Sequence, residues 1–261
     1  GFRPRNLNSA TAGSRRPNEK ETSQINYRGY IRVAVFGDLP PYRWVNDQGK
    51  RVGYDVYLAC RIAEDLNVKI RFIQVNANNR VDTLNSNKAD IVLANFTVTP
   101  ERKDVVDFAK PYMKVSVGVI SPKNAPIKSA QELKGKKLIV TKGTTAENYF
   151  AKQSGVNLLK FDSKTQQFNA LKNGRGAALA DDNSYLYAWV KKNPKYVVGI
   201  KSIGSRQYVS PAVKKGNRSL LKWTNQEITK LTQEGFFVKD YQTELAPHFG
   251  KDIKPTDIIL K

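Results

Sequence analysis

A chain of 261 residues, 40% hydrophobic and 26% charged, is long enough for one large or two smaller cores, and no run in it approaches the ~18 apolar residues of a membrane-crossing helix. One cysteine, Cys60, excludes an internal disulfide, and one histidine, His248, with no Cys or His near it, argues against a zinc site or a Ser-His-Asp triad. A net charge of +21 raises nucleic acid as a partner, but Lys and Arg are spread in blocks no longer than a pair, without a helix-turn-helix, RNP-like or zinc-finger pattern. Nucleic-acid binding is therefore not expected; the readings left are a solvated basic surface, attraction to an anionic membrane, or a compositional lysine bias.

In chain order, residues 1–24 are polar and rich in Gly, Pro and Ser, which predicts a disordered tail. "YIRVAVF" (30–36) reads as a strand and 54–66 as a helix, with Val56, Ala59, Cys60, Ala63 and Leu66 at helical spacing, so Cys60 is expected to be a buried structural thiol. "VKIRFIQV" (68–75) precedes a short helix through "RVDTLNSN". "ADIVLANF" (89–96) precedes a helix whose start is marked by Thr99 and Pro100. "KKLIVT" (136–141) precedes "GTTAENYFAKQ", and "GAALAD" (176–181) precedes "NSYLYAWVKKN". Strand–helix alternation of this kind predicts parallel α/β sheets with right-handed crossovers.

"LNSNKADIVLAN" from Leu84 and "LKNGRGAALADD" from Leu171 echo one another and place Asn95 opposite Asp182. The echo predicts two similar lobes whose strand ends face across a cleft. Two apolar runs into Pro- and Lys-rich loops predict hinges near Val119–Pro122 and Pro211–Lys214. The expected organisation is lobe one at 25–118, lobe two at 119–212, and a return of 213–261 to lobe one.

The strand ends carry the chemistry. Arg102 falls in the first turn of the helix after Pro100, where the helix dipole disfavours a cation by about 0.3–1 kcal/mol. Either it is solvated or pairs with Asp104 or Asp107, or it awaits an anion. Thr144 and Glu147 have capping-box spacing, which makes Thr144 a helix cap or aims the Thr145 amide and hydroxyl beyond the helix start. Asp182 ends its strand as a helix cap or an acceptor for a ligand, with Asp181 as rival. An amino acid needs such parts: an arginine fork for carboxylate and an acid for ammonium.

"GYDVYLACRIAEDL", "ANFTVTPERKDVVDFAKPY", "KGTTAENYF" and "ALADDNSYLYAW" resemble, in order, the bacterial extracellular solute-binding proteins of the polar amino-acid family. The resemblance spans about residues 28–250 and implies a two-lobed periplasmic-binding-protein type II α/β fold that delivers ligand to an ABC permease. It also implies a non-enzymatic, periplasmic protein, with lipoprotein anchoring left open, working as a monomer without metal or cofactor. Carried over by motif, Arg102 grips the α-carboxylate, Thr97 offers hydroxyl and carbonyl with Asn95 and Phe96 lining the pocket, Thr145 donates with Thr144 beside it, and Asp182 takes the ammonium. The stretches around "VFGDLPPYRW" and "DNSYLYAWVKK" are most similar to the cystine- and cysteine-binding branch, with Asp38, Tyr42 and Trp44 either at the cleft mouth or serving as a capping Asp and core aromatics. Arg80 matches a position that reads an acidic side chain in aspartate/glutamate receptors, or meets a second carboxylate in cystine, or is a surface residue. Aspartate/glutamate or glutamine receptors are the alternatives within the family. A dehydratase-type enzyme on the same frame, or a ligand-binding domain of a larger receptor, lies outside that reading.

Overall fold

A computed structural model describes residues 19–251 and 253–260, with side chains from residue 24 onward. Residues 1–18 of the expected tail lie outside the described residues, and residues 19–24 begin a helix, α1 (Glu19–Arg28). Then follow β1 (Tyr30–Phe36), β2 (Trp44–Val45), β3 (Arg51–Val52), α2 (Tyr54–Asp65), β4 (Lys69–Val75), α3 (Arg80–Asn85), β5 (Ile91–Val92), α4 (Pro100–Lys103) and β6 (Val106–Phe108). The chain continues with β7 (Met113–Pro122), β8 (Lys137–Thr141), α5 (Thr145–Ala151), β9 (Asn157–Phe161), α6 (Lys164–Lys172), β10 (Ala178–Asp182), α7 (Asn183–Lys192) and β11 (Tyr196–Val209). It ends with β12 (Ala212–Lys214), α8 (Arg218–Gln233), α9 (Phe236–Asp240) and α10 (Pro255–Ile258).

The strands form two five-stranded sheets, β4-β1-β5-β12-β6 and β11-β7-β10-β8-β9. In the first, β1 is parallel to β4 and β5, while β12 is antiparallel to β5 and β6. In the second, β8 is parallel to β9 and β10, while β7 is antiparallel to β10 and β11. Each sheet thus has four strands running one way and one opposed strand. These are the mostly parallel α/β sheets that strand–helix alternation implies, in the two lobes that the internal echo and the resemblance imply.

Side-chain alternation in β8 explains why the second sheet needs helices on both faces. Leu138 and Val140 pack with Ala146 and Phe150 of α5, whereas Ile139 packs with Phe168, Leu171 and Leu186 from α6 and α7. The first sheet and its helices form a larger cluster that also takes in Ile228, Leu231, Phe237 and Tyr241 from the C-terminal helices.

The first crossing between the sheets lies at residues 109–113, between β6 and β7. That precedes the hinge expected at Val119–Pro122. Val119 is interior to the second sheet, paired with Ala180 and Ile200, because the β7–β11 ribbon extends from Met113 opposite Val209. The return crossing runs from Val209 to Ala212, at the start of the expected Pro211–Lys214 segment.

The helix expected at Pro100 forms, capped by Thr99, and is one turn long, because Val106–Phe108 enters the first sheet as β6. One helix expectation is corrected. Cys60 is exposed: Leu58, Ala59, Ile62 and Ala63 make the buried face of α2, and position 60 lies off it. Inside lobe one, Arg43 and Asp55 form a fully buried pair at 3.5 Å, where burial raises the Asp55 pKa to about 7 against the pull of Arg43.

Candidate functional site

The parallel strands of both sheets end toward the same gap, and their last residues meet there. After β5 the chain turns sharply: Asn95 takes a left-handed φ of 49°, a conformation Asn tolerates better than most residues. Phe96 and Thr97 follow, both buried. The Thr99 hydroxyl caps the short α4 by accepting from the Arg102 amide at 3.2 Å.

The Arg102 guanidinium then folds back from α4. It donates to the Thr97 carbonyl at 2.7 Å and, across the gap, to the Gly143 carbonyl at 2.8 Å. Arg80, at the start of α3, donates to the carbonyls of Ala77, Ala94 and Asn95 and also reaches Gly143, at 3.3 Å. Both guanidiniums lie on the Phe96 ring, 4.5 Å (Arg80) and 4.8 Å (Arg102) from its centre. Neither makes an ion pair among the described residues. Burial lowers the Arg80 pKa to about 10. Burial and then the neighbouring Arg80 lower that of Arg102 to about 9.

From the second sheet, Thr145 and Asp182 face this cationic wall. The Thr145 hydroxyl donates to Asp182 Oδ1 at 3.2 Å. Burial, followed by the adjacent Asp181, raises the Asp182 pKa to about 6, partly offset by Lys164, Arg80 and Arg102. Asp181 is committed elsewhere: its carboxylate accepts from Lys164 Nζ at 2.6 Å, from Gln167 Nε2 at 2.7 Å and from the Asp182 amide. Of the two adjacent acids, Asp182 is the one in contact with the cleft.

The halves touch through close backbone packing. Gly143 has φ +82°, and a Cβ there would sit 2.9 Å from the Ala77 carbonyl carbon and oxygen. Only glycine brings the "KGTT" turn this near to the first sheet. Tyr42 Oη donates to the Ser184 carbonyl at 3.0 Å, and Asn95 Nδ2 meets Ser184 Oγ at 3.4 Å.

The expected residues thus divide. Arg80, Asn95, Phe96, Thr97, Arg102, Thr145 and Asp182 converge. Tyr42 is fully buried rather than at a mouth, because its ring packs edge-on against Tyr185, 5.4 Å away. Asp38 is exposed, at the rim of a groove of about 270 Å³ lined also by Phe36, Gln74, Ser163 and Lys164. Trp44 is half-buried beside His248, away from the cluster. The Thr144 hydroxyl is spent on structure, accepting from the Glu147 amide and donating to the Thr141 carbonyl. Arg102 pairs with neither Asp104 nor Asp107; the latter accepts from the Gly216 amide instead. Gly143, Phe36 and Ser184 went unnamed as site residues, although "KGTT" and "DDNS" contain two of them. No group of three or more His, Cys, Asp or Glu among the described residues could hold a metal.

The family model for bacterial extracellular solute-binding proteins, family 3, matches residues 31–243. This chain belongs to that family. Members similar to it include the L-cystine-binding protein TcyJ of Escherichia coli, 30% identical over 234 residues, covering 88% of this chain and 86% of that protein. The glutamine-binding protein GlnH of Bacillus subtilis is 33% identical over 228 residues, covering 85% of this chain and 81% of its own. The crystal structure of a solute receptor for L-cysteine from Neisseria gonorrhoeae superposes with a TM-score of 0.89 at 46% identity, covering 92% of this chain and 99% of that one. Family 3 members act outside the cytoplasm, and no helix among the described residues is long and apolar enough to cross a membrane.

Proposed function

We propose that this protein is the receptor of an ABC amino-acid importer and that it binds cysteine or cystine between its lobes. One observation carries the reading: two guanidiniums without a carboxylate partner, Arg80 buried and Arg102 half-buried, face Asp182 across the gap between the sheets. Buried charge is costly unless paired, so such a wall is stabilised by an incoming anion. In this reading Arg102 forks the α-carboxylate, its bonds to Thr97 and Gly143 exchanging for bonds to the ligand. Thr145 adds a donor and Asp182 receives the ammonium. Arg80 holds the carbonyls of the Asn95 turn in place, and its charge reinforces the anion site. Phe96 supplies the apolar floor, and Asn95, Tyr42 and Thr144 shape and close the pocket. Asp38 meets the distal part of the side chain.

The lobes divide at the two crossings, so lobe one takes residues 25–108 with 213–261 and lobe two takes 113–209, in place of the expected boundaries at 118/119 and 212/213. The receptor works as a monomer outside the cytoplasm and hands its ligand to a membrane permease. The likeness to the L-cysteine receptor, at 46% identity, favours a sulfur amino acid over glutamine, which GlnH is named for binding. A thermal-shift screen of the amino acids, with cysteine kept reduced and cystine run separately, tests this. A ligand at ~100 times its Kd adds about 2.7 kcal/mol of stability. Stabilisation by glutamine or by an acidic amino acid alone would overturn the assignment.

A further inference from the structure

The charge of this protein is unevenly placed. Residues 113–209, the second sheet with its helices, hold 17 Lys and Arg against 5 Asp and Glu, or +12 of the chain's +21. Within this half Asp181 and Asp182 end β10 and Glu147 and Asp162 follow β8 and β9, so these four acids stand at the cleft end, where Lys164, Lys160 and Lys142 pair with Asp181, Glu147 and Asp162. At the opposite end β8, β9, β10 and β11 begin and β7 finishes.

There Lys123, Lys128, Lys134, Lys136, Lys137 and Lys195 form an exposed rim. Backbone bonds hold it together: the Lys123 amide donates to the Lys195 carbonyl at 2.8 Å, and Asn157 donates to Lys136. None of the six makes an ion pair among the described residues, and Glu132 is the one acid close by, bonded to the Lys128 amide and the Ser129 hydroxyl.

We propose that this lysine rim is a docking surface for an anionic phospholipid membrane. The six groups are compact, hydrated point charges, joined at this end by exposed Arg175 in the turn before β10, which suits a diffuse negative potential. A second copy of the chain is repelled by the same charge. A single nucleic acid strand would want stacking aromatics interleaved with the cations, and none of the rim segments, "KNAPIK", "KGKK" or "NPK", has one. The surface lies at the end of the lobe away from the cleft, so adsorption leaves amino-acid binding intact.

The test is vesicle flotation of the full chain with liposomes of roughly 30% phosphatidylglycerol in phosphatidylcholine, against phosphatidylcholine alone, at low and high salt. Binding is expected on the anionic vesicles only and should fall with salt. Each lysine near such a surface strengthens adsorption roughly fivefold. Changing all six to Gln should therefore cost more than tenfold. Changing Lys50, Lys69, Lys88, Lys103, Lys222 and Lys239 to Gln removes equal charge from the other half and should cost much less. In the wild type, vesicles should protect the rim lysines from acetylation, a readout that needs no variant. Equal losses in the two variants, no binding by the wild type, unprotected rim lysines, or tighter binding to an oligonucleotide than to vesicles at the same salt would overturn the proposal.

Discussion

Removing the Arg102 guanidinium separates binding from folding. In Arg102→Ala the ligand carboxylate loses two charge-assisted donors, each contributing about 1.5–3 kcal/mol. Arg80 stays in place, its charge on the same Phe96 ring, so the lower part of that sum applies. A loss of about 3–4 kcal/mol weakens Kd by roughly two to three orders of magnitude. Unliganded stability should hardly move. The variant forfeits two bonds to carbonyls, at 2.7 and 2.8 Å, but also the burial of a cation beside Arg80. These opposed effects are each about 1–2 kcal/mol. Titration calorimetry gives Kd, and thermal denaturation without ligand gives stability. A folded variant with Kd within tenfold of wild type would refute the role given to Arg102. So would a variant that loses binding only by unfolding.

Other expectations follow from the same geometry. Asp182 must be ionised to accept an ammonium, so affinity should fall as pH drops through about 6, and Asp182→Asn should bind weakly without that pH step. Calorimetry across pH 5–8 reads both. Stability without ligand should move the other way. The folded-state pKa of Asp55, about 7, and of Asp182, about 6, exceed the unfolded value near 3.8. The folded state therefore holds extra protons, and the contribution of these groups is greatest below pH 4 and is lost as pH rises through 6–7. A protein melting at higher temperature at pH 8 than at pH 5.5 would contradict this. Arg43→Leu strands Asp55 and should cost about 3–5 kcal/mol at pH 8, where Asp55 is charged, and clearly less at pH 5; urea melts at the two pH values measure the difference. Gly143→Ala puts a Cβ 2.9 Å from Ala77 at a left-handed φ, costing about 1–3 kcal/mol in the closed form. Ligand affinity should drop at least several-fold while each lobe stays folded, as calorimetry and circular dichroism would show.

What the sequence made legible was local and repetitive. β1 appears over the same residues as the run "YIRVAVF", and α2 within one residue of the expected 54–66, because a bounded apolar run and a helical stripe are both strong signals. The run "ADIVLANF" shrinks to Ile91–Val92, since Asn95 turns the backbone into the cleft, and turns at ligand-facing strand ends defeat periodicity. The helix expected after Pro100 gave a reason to look at Arg102, but its four residues make little dipole. The carbonyls of Thr97 and Gly143 fix the guanidinium instead. That second carbonyl lies 41 residues away in sequence, and no local pattern encodes it. The same holds for Tyr42 with Ser184. Residue types at strand ends were readable; which of them meet across the gap is set by closure of two sheets.

The most direct measurement compares three ligands on the wild type: the amino acid that binds best, its decarboxylated amine and its N-acetyl derivative. If guanidinium and carboxylate grip the two ends of one zwitterion, competition calorimetry should show each derivative weakened by at least a hundredfold. Decarboxylation should make the pairing with Arg102 worthless, so that Arg102→Ala no longer matters for the amine. An amine or N-acetyl derivative that competes as well as its parent would contradict the account.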